Sequence, residues 1–295
     1  MLIKLLFNQS LNIVIFKQSS THRLFKNHYI YPKLISLLIF LSGIGWCSPM
    51  AVQSKNSSFY GLGIKPQFSQ IRTRCGDLNN LIAVNLLAPD DGGRTLTARP
   101  TFYWYIEHKS GKNNYSKTRP KPKEFNVDFI LRDGFDRKAQ PIFKVRSRAL
   151  QVNQKGSLYK LTLPSNAPLI DVGKIYSWQI RYTDGNISSP GSQIDERKTI
   201  KRENNQSVIE QVNSASTDLL KARIYADNAY WYDALDAYSK WIDENPSDQQ
   251  ALTERMRMFN EIIDRQQKLK CAVKFNAVDM RLNKMQSTPL NLADK

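Results

Sequence analysis

The chain is poor in histidine, cysteine and acidic residues. Of its three histidines only His108 lies beyond residue 47, and its three cysteines show no Cys-x-x-Cys spacing. Zinc sites and Ser–His or Cys–His catalytic sets need such residues in groups, so we expect no metal ion, no cofactor and no enzymatic activity of these kinds. Lys and Arg outnumber Asp and Glu by 43 to 26, a net charge of +17. This excess favours anionic partners.

Residues 1–47 have the features of a leader segment. They contain five Lys or Arg and no Asp or Glu, so 17 minus 5 leaves +12 for the remainder. An uncharged apolar run of 13 residues, Leu34 to Trp46, follows Lys33. Such a run is too short to span a bilayer and typical of a secretory signal, with Gly45 and Cys47 small enough for cleavage after Cys47. The segment predicts export to the periplasm or cell envelope, or a membrane tether if the leader stays uncleaved.

Residues 48–74 are rich in Ser, Gln and Lys and are predicted to be a linker, followed by a β-domain at residues 75–202. Within that domain, short extended runs alternate apolar and polar residues, with turn residues between them and no helical period. The pattern predicts an antiparallel β-sandwich of immunoglobulin-like size. The charged segment from Ser192 to Asn205 is expected to connect it to helices. The runs are residues 81–87, 95–107, 127–133, 141–147, 157–164 and 175–183.

Residues 203–270 are predicted to be helical and residues 271–295 a tail, which makes the fold class α+β with strands and helices segregated along the chain. In Trp231 to Pro246 apolar residues recur every three or four positions, and Pro246 ends the helix. Ser247 with Gln250 predicts a capping box for the next helix. One helical hairpin is not stable alone, so its apolar stripe is expected to pack on the β-domain or on neighbouring helices.

Aromatic and acidic residues on the predicted strands each allow two interpretations. Trp104 and Trp178, with Tyr103 and Tyr105, fit a sugar-stacking platform, but alternating strands favour their burial in a core. Asp128 and Glu107 are the strand-borne acids available to a hydrolase. The Asp133-Gly134 dipeptide predicts a hairpin turn rather than a calcium loop.

A loop between residues 109 and 124 is dense in basic residues. Such a cluster attracts polyanions, and for an exported protein the nearest are anionic lipids at a membrane surface or acidic polysaccharides. Nucleic acid is not expected, because no recognisable reading element accompanies the charges. A merely solubilising surface is the alternative. The basic residues of this loop are Lys109, Lys112, Lys117, Arg119, Lys121 and Lys123.

If the leader is cut after Cys47, Cys75 and Cys271 remain. They can form one disulfide in an oxidising compartment or stay as two thiols, and the residues themselves leave both options open.

A series of motifs extends from about Arg74 to Ile263. It comprises Arg74-Cys75-Gly76, the run Gly93 to Tyr105, Leu163-Pro164 with Ala167-Pro168-Leu169, the run Val172 to Trp178, and Tyr225-Ala226 with the run Trp231 to Leu235. In this order the motifs resemble the cyanobacterial domain of unknown function 928 family. The resemblance implies an exported protein and offers no catalytic or ligand-binding residues. Many members have a second Cys where this chain has Arg181-Tyr182-Thr183, which leaves Cys271 as the candidate partner of Cys75.

The Trp231 helix resembles the second helix of a tetratricopeptide repeat, on the residues Trp231 to Leu235, Tyr238 and Asp243 to Asp248. We therefore expect an exported, non-enzymatic envelope protein that binds or scaffolds an unidentified protein or envelope component. Two alternatives stay open: polyanion binding through the basic loop, and hydrolysis of envelope polymers through carboxylates such as Asp128 and Glu107.

Overall fold

Ten strands form two β-sheets in the part of the chain that the computed structural model describes, residues 59–64, 82–108, 124–136, 138–147, 150–151, 156–183, 193–266, 282 and 284–292. These residues belong to one unit, Val52–Lys295. The smaller sheet has the order β1-β3-β7-β10: Ile82–Leu86 (β1), Thr101–His108 (β3), Ser157–Thr162 (β7) and Ser287–Pro289 (β10). The larger sheet has the order β2-β9-β8-β4-β5, with β6 beside β4: Gly93–Thr95 (β2), Gln193–Arg202 (β9), Ile175–Thr183 (β8), Glu124–Asp133 (β4), Gln140–Arg146 (β5) and Leu150–Gln151 (β6).

Both sheets are mixed. Most neighbouring strands run antiparallel, but β2 is parallel to β9 and β10 is parallel to β7. These two strands have three residues each and come from segments distant in sequence from their partners, so alternation cannot reveal them. The α+β class is thus confirmed, whereas the purely antiparallel arrangement is wrong at two sheet edges. The predicted segregation of strands and helices along the chain is also incomplete, because strand β10 follows the helices.

Aromatic side chains fill the space between the sheets. The ring of Phe102 on β3 lies 5.0 Å from that of Phe129 on β4 and 4.9 Å from that of Trp178 on β8. Trp104 Nε1 donates a hydrogen bond of 2.6 Å to the hydroxyl of Tyr182. Because these rings bury large areas and satisfy their polar atoms with each other, they hold the sheets face to face. The prediction that the strand aromatics Tyr103, Trp104, Tyr105 and Trp178 are core residues is confirmed, since each is at most 1% exposed.

Four helices follow the strands within the described residues: Gln206–Ser214 (α1), Asp218–Asp227 (α2), Trp231–Glu244 (α3) and Gln249–Gln266 (α4). The helix predicted from Trp231 is confirmed. The capping residue predicted for α4 is wrong, because Asp248 rather than Ser247 accepts the hydrogen bond from Ala251 N, at 3.1 Å. Asp is as good an N-cap as Ser, and Asp248 immediately precedes the helix.

The start of α3 is built into the β-sheet core. Trp231 Nε1 donates to the carbonyl of Leu87 at 2.9 Å. The hydroxyl of Tyr232 accepts from Trp178 Nε1 at 2.8 Å and donates to the carbonyl of Thr199 at 3.1 Å. The helix therefore contacts both sheets at this end, as the apolar stripe requires.

Further along, α3 lies over the outer side of the smaller sheet. The Tyr103 hydroxyl donates to Asp236 at 2.9 Å, and Lys160 Nζ lies 3.2 Å from Asp243. Tyr103 and Lys160 are cross-strand partners of β3 and β7. The described helices contact chiefly β2 and β3. The outer side of β4, β8 and β9 is therefore not covered by them. No helix of the described residues is long and apolar enough to cross a membrane.

Residues 192–205 are predicted from the sequence to be a connecting segment, and this prediction is wrong, because Gln193–Arg202 form strand β9. It pairs with β8 from Gln193 opposite Thr183 to Lys201 opposite Ile175. Charged residues occur on both of its faces, so the segment lacks the alternation that marks a half-buried strand. The leader and most of the linker lie outside the described residues, which include residues 59–64 of the linker.

Candidate functional site

Five polar side chains lie together on the outer side of the larger sheet. Neighbours along a strand point to opposite faces, so residues that alternate with buried Phe129, Trp178 and Ile180 point away from the core. The strand register places Gln179 opposite Arg197 and Arg181 opposite Asp195. Arg132 lies on β4 opposite Ser177, two residues from the position opposite Gln179 and therefore on the same face. We call this group, Arg132, Gln179, Arg181, Asp195 and Arg197, the arginine face.

Gln179 is the centre of the arginine face. Its side chain is 1% exposed, and its Oε1 accepts from Arg132 Nε at 2.9 Å and from Arg197 Nη2 at 3.4 Å. Its Nε2 donates to Asp195. One buried amide thus joins three strands and fixes two guanidinium groups beside each other.

Backbone carbonyls of the β4–β5 turn hold the same two arginines from the side. Arg132 Nη1 donates to the carbonyl of Ala139 at 3.0 Å, and Arg197 Nη1 donates to the carbonyl of Asp136 at 3.2 Å. This turn has Gly134 at a φ of 99°, and the Asp136 carboxylate accepts from Lys138 N at 2.7 Å. The prediction of a hairpin turn at Asp133-Gly134 is confirmed, and the turn positions the arginine face.

A row of alternating charge lies beside Gln179. Arg181 Nη2 is 3.3 Å from Asp195 Oδ2. On the other side of Arg181, Asp128 is its cross-strand partner and accepts from Arg146 Nε at 2.7 Å. Lys144 Nζ lies 3.1 Å from the same carboxylate. Among the side chains named so far on this side of the sheet, five are cationic and two are anionic, and 5 minus 2 gives a net charge of +3 for this group.

The arginines lie close enough to affect each other's protonation equilibria. Burial lowers the pKa of Arg132 and the positive charge of Arg181 lowers it further, while Asp195 opposes the change. Burial likewise lowers the pKa of Arg197, and so do Arg132 and Arg181, against Asp195 and Asp136. The guanidinium groups remain protonated, because the pKa of arginine is far above neutral. Like charges held this close create a positive potential that an anion would relieve.

Asp128 is bound as a counter-ion. Burial alone would raise its pKa, but the hydrogen bonds and charges of Arg146 and Lys144 outweigh burial and lower it. A carboxylate held in this way stays ionised. Glu107, the other acid considered from the sequence, lies on β3, so the backbone places the two acids on different sheets.

Most of the sites predicted from the sequence lie outside the described residues. These are the basic loop residues Lys109, Lys112, Lys117, Arg119, Lys121 and Lys123, and the cysteines Cys75 and Cys271. His108 is the last residue of β3. Within the described residues, no group of His, Cys, Asp and Glu has the arrangement of a metal site.

The arginine face is not predicted from the sequence. Arg132 and Arg181 lie in predicted strands, but Arg197 lies in the segment that was not identified as a strand. The alternation of Tyr176, Trp178, Ile180 and Tyr182 does place Gln179 and Arg181 on one outer face. Strand order and register, which bring β9 and β4 to either side of β8, are not contained in that pattern.

The described β-core and helices fall almost entirely within one conserved-domain match. The model of DUF928, a domain of unknown function, matches residues 70–267, which is more than half of the chain. The chain belongs to the DUF928 family. The DUF928 match includes every residue of the arginine face and both Trp231 and Tyr232 of α3. The resemblance to this family noted from the sequence is confirmed. No curated protein matches the chain.

Proposed function

We propose that this DUF928 chain is an exported protein of the cell envelope that binds polyanions without chemical turnover. The observation that supports binding most directly is the arginine face, where the register of three strands concentrates arginines on a side of the sheet that the described helices do not cover. The basic residues between Lys109 and Lys123 add positive charge in the same chain. Such a surface attracts polymers of negative charge.

The proposal of export rests on the leader features of residues 1–47 and on the resemblance to a cyanobacterial family. The leader has basic residues, no acids and an apolar run of the length typical of a secretory signal. Scaffolding by the tetratricopeptide-like hairpin is part of the proposal, since α3 and α4 are joined by the short segment from Asn245 to Asp248. No observation on the described residues favours the hydrolase alternative.

Two measurements test the proposed function. Fractionation of the source cells with intact-mass analysis is expected to find the protein in the envelope or periplasm, without its leader or tethered by it, whereas a full-length cytoplasmic protein contradicts export. Chromatography on an anionic polymer matrix such as heparin is expected to retain the purified protein at low salt and release it as salt rises. Failure to bind any anionic polymer at low salt contradicts polyanion binding.

A further inference from the structure

The positive charge on the outer side of the larger sheet is unevenly distributed. In the row formed by Arg146, Asp128, Arg181 and Asp195, cations and carboxylates alternate across the strands. Asp128 accepts two hydrogen bonds from Arg146, at 2.7 and 3.2 Å. This row supplies its own counter-charges, so it has little need of an external anion.

Arg132 differs from the arginines of that row. Its Nε and Nη1 donate to the uncharged oxygens of Gln179 and Ala139, and none of the salt bridges among the described residues includes it. Its Nη2 makes no hydrogen bond with a described residue. A guanidinium group that is oriented by neutral acceptors keeps its full charge for a ligand.

Arg197 donates to the same Gln179 oxygen from β9, the strand on the other side of β8 from Arg132. Two guanidinium groups thus lie side by side with their orientation fixed, which reduces the entropy lost when they bind a ligand. Strands β4 and β9 lie on either side of β8, each about 4.8 Å from it, so the two arginines extend over the outer face of the sheet from both sides of Gln179. Two guanidinium forks held side by side match a polymer that carries repeated carboxylates, because guanidinium and carboxylate groups bind in two-pronged pairs.

We infer that Arg132 and Arg197, oriented by Gln179, form the binding site for an acidic polysaccharide whose carboxylate groups pair with the two guanidinium forks. This inference rests on the proposed function and specifies its ligand class and its residues. Arg181 belongs to the row whose carboxylates neutralise its charge, and it lies beside the site without binding the ligand. Gln179 acts as a positioning residue, because it contacts the arginines rather than the ligand.

A membrane surface fits this face less well. Peripheral membrane binding combines basic residues with apolar side chains that enter the lipid. Of the large hydrophobic side chains that are exposed in the described residues, only Ile142 lies on β4, β5, β8 or β9. Phe59, Leu169, Val172 and Leu220 lie elsewhere.

The test compares binding of the full-length mature protein to polygalacturonate, a carboxylated polysaccharide, by titration calorimetry. The double variant Arg132→Gln/Arg197→Gln is expected to bind more weakly by about tenfold for each arginine removed. The matched control, Arg257→Gln/Lys284→Gln, removes the same charge from exposed positions on α4 and the C-terminal segment. This control is expected to bind within about twofold of the unaltered protein. Circular dichroism and thermal melting verify that both variants are folded.

A third variant separates fork geometry from charge. Arg132→Lys/Arg197→Lys keeps both charges but loses the planar forks, and it is expected to bind at least about tenfold more weakly.

Binding of either arginine variant that equals that of the unaltered protein overturns the inference, as does equal weakening of binding in the matched control. Binding to phosphatidylglycerol vesicles or to DNA but not to polygalacturonate overturns the ligand class. If the unaltered protein binds no polyanion at all, the proposed function itself fails. If the unaltered protein binds polygalacturonate and the arginine variants bind it equally well, only the assignment of the site to Arg132 and Arg197 fails.

Discussion

At the scale of single residues, Asp233 shows how one buried acid attaches α3 to the sheets. Its carboxylate accepts from Leu96 N at 2.9 Å and from Thr95 Oγ1 at 3.1 Å. Burial raises the pKa of Asp233, although these hydrogen bonds counteract the rise. The bonds connect the first turn of the helix to the end of β2, so they fix where the helix enters the core.

Replacing Asp233 by Ala is therefore expected to destabilise the protein. The variant leaves Leu96 N and the Thr95 hydroxyl without their acceptor, which costs about 2–4 kcal/mol. Urea unfolding followed by fluorescence measures the change. Glu244→Ala, at an exposed position of the same helix, is the control and should change the free energy of unfolding by less than about 0.5 kcal/mol. Equal effects of the two variants would mean that the Asp233 contacts do not stabilise the fold.

A second residue predicts how stability depends on pH. Burial raises the pKa of Glu196 from 4.5 to about 7; Lys198 and the Leu86 N–H oppose the rise, and Asp90 and Asp195 add to it. Between these two values the unfolded chain has lost the proton that the folded chain keeps, so stability falls as pH rises and then levels off above pH 7. Glu196→Gln removes this titration. We expect the variant to gain stability relative to the unaltered protein between pH 4.5 and 7, as measured by thermal melting in a pH series. Parallel curves for the two proteins would contradict the prediction.

At the scale of elements, α3 joins the helices to both sheets through its first turn. Trp231 is fully buried and bonded to Leu87, whereas Trp241, one turn before the end of the helix, is partly exposed and bonded to Asp248 at 2.8 Å. The two tryptophans allow a matched comparison within one helix.

Trp231→Ala is expected to cost about 3–5 kcal/mol, because it creates a large cavity in the core and leaves the Leu87 carbonyl without its donor. Trp241→Ala is expected to cost clearly less, since the side chain is less buried. Chemical denaturation of both variants under the same conditions measures the difference. If Trp241→Ala lowered the free energy of unfolding more than Trp231→Ala, the packing of α3 against the sheets would not be the main contribution of this helix to stability.

Some of the helices and strands can be predicted from the sequence and others cannot. Strands with one apolar face, such as β8, and the helix with a tryptophan stripe follow from periodicity. Strand β9 does not, because Glu196 and Lys198 alternate with Asp195 and Arg197 and leave few apolar residues to mark a face. In the folded protein Glu196 accepts a hydrogen bond from the Leu86 backbone and Lys198 pairs with Asp90, and these contacts cannot be inferred from the local sequence.

At the scale of the whole molecule, the two sides of the β-core differ in what covers them among the described residues. Helices cover the smaller sheet, where Tyr103 and Lys160 meet acids of α3. The larger sheet presents the arginine face on the opposite side. Composition predicted a preference for anionic partners, but the location of the charges depended on sheet register and so could not be predicted. The charge of the basic loop was visible because its residues are adjacent in sequence, whereas Arg132 and Arg197 become neighbours only through β8.

The most direct test of the account is arginine footprinting with phenylglyoxal, read by mass spectrometry, with and without polygalacturonate. Arg132 and Arg197 are expected to lose reactivity when the polymer is added, while Arg257 on α4 keeps it. Protection of Arg119 in the basic loop with no change at Arg132 and Arg197 would contradict the assignment of the binding site to the arginine face.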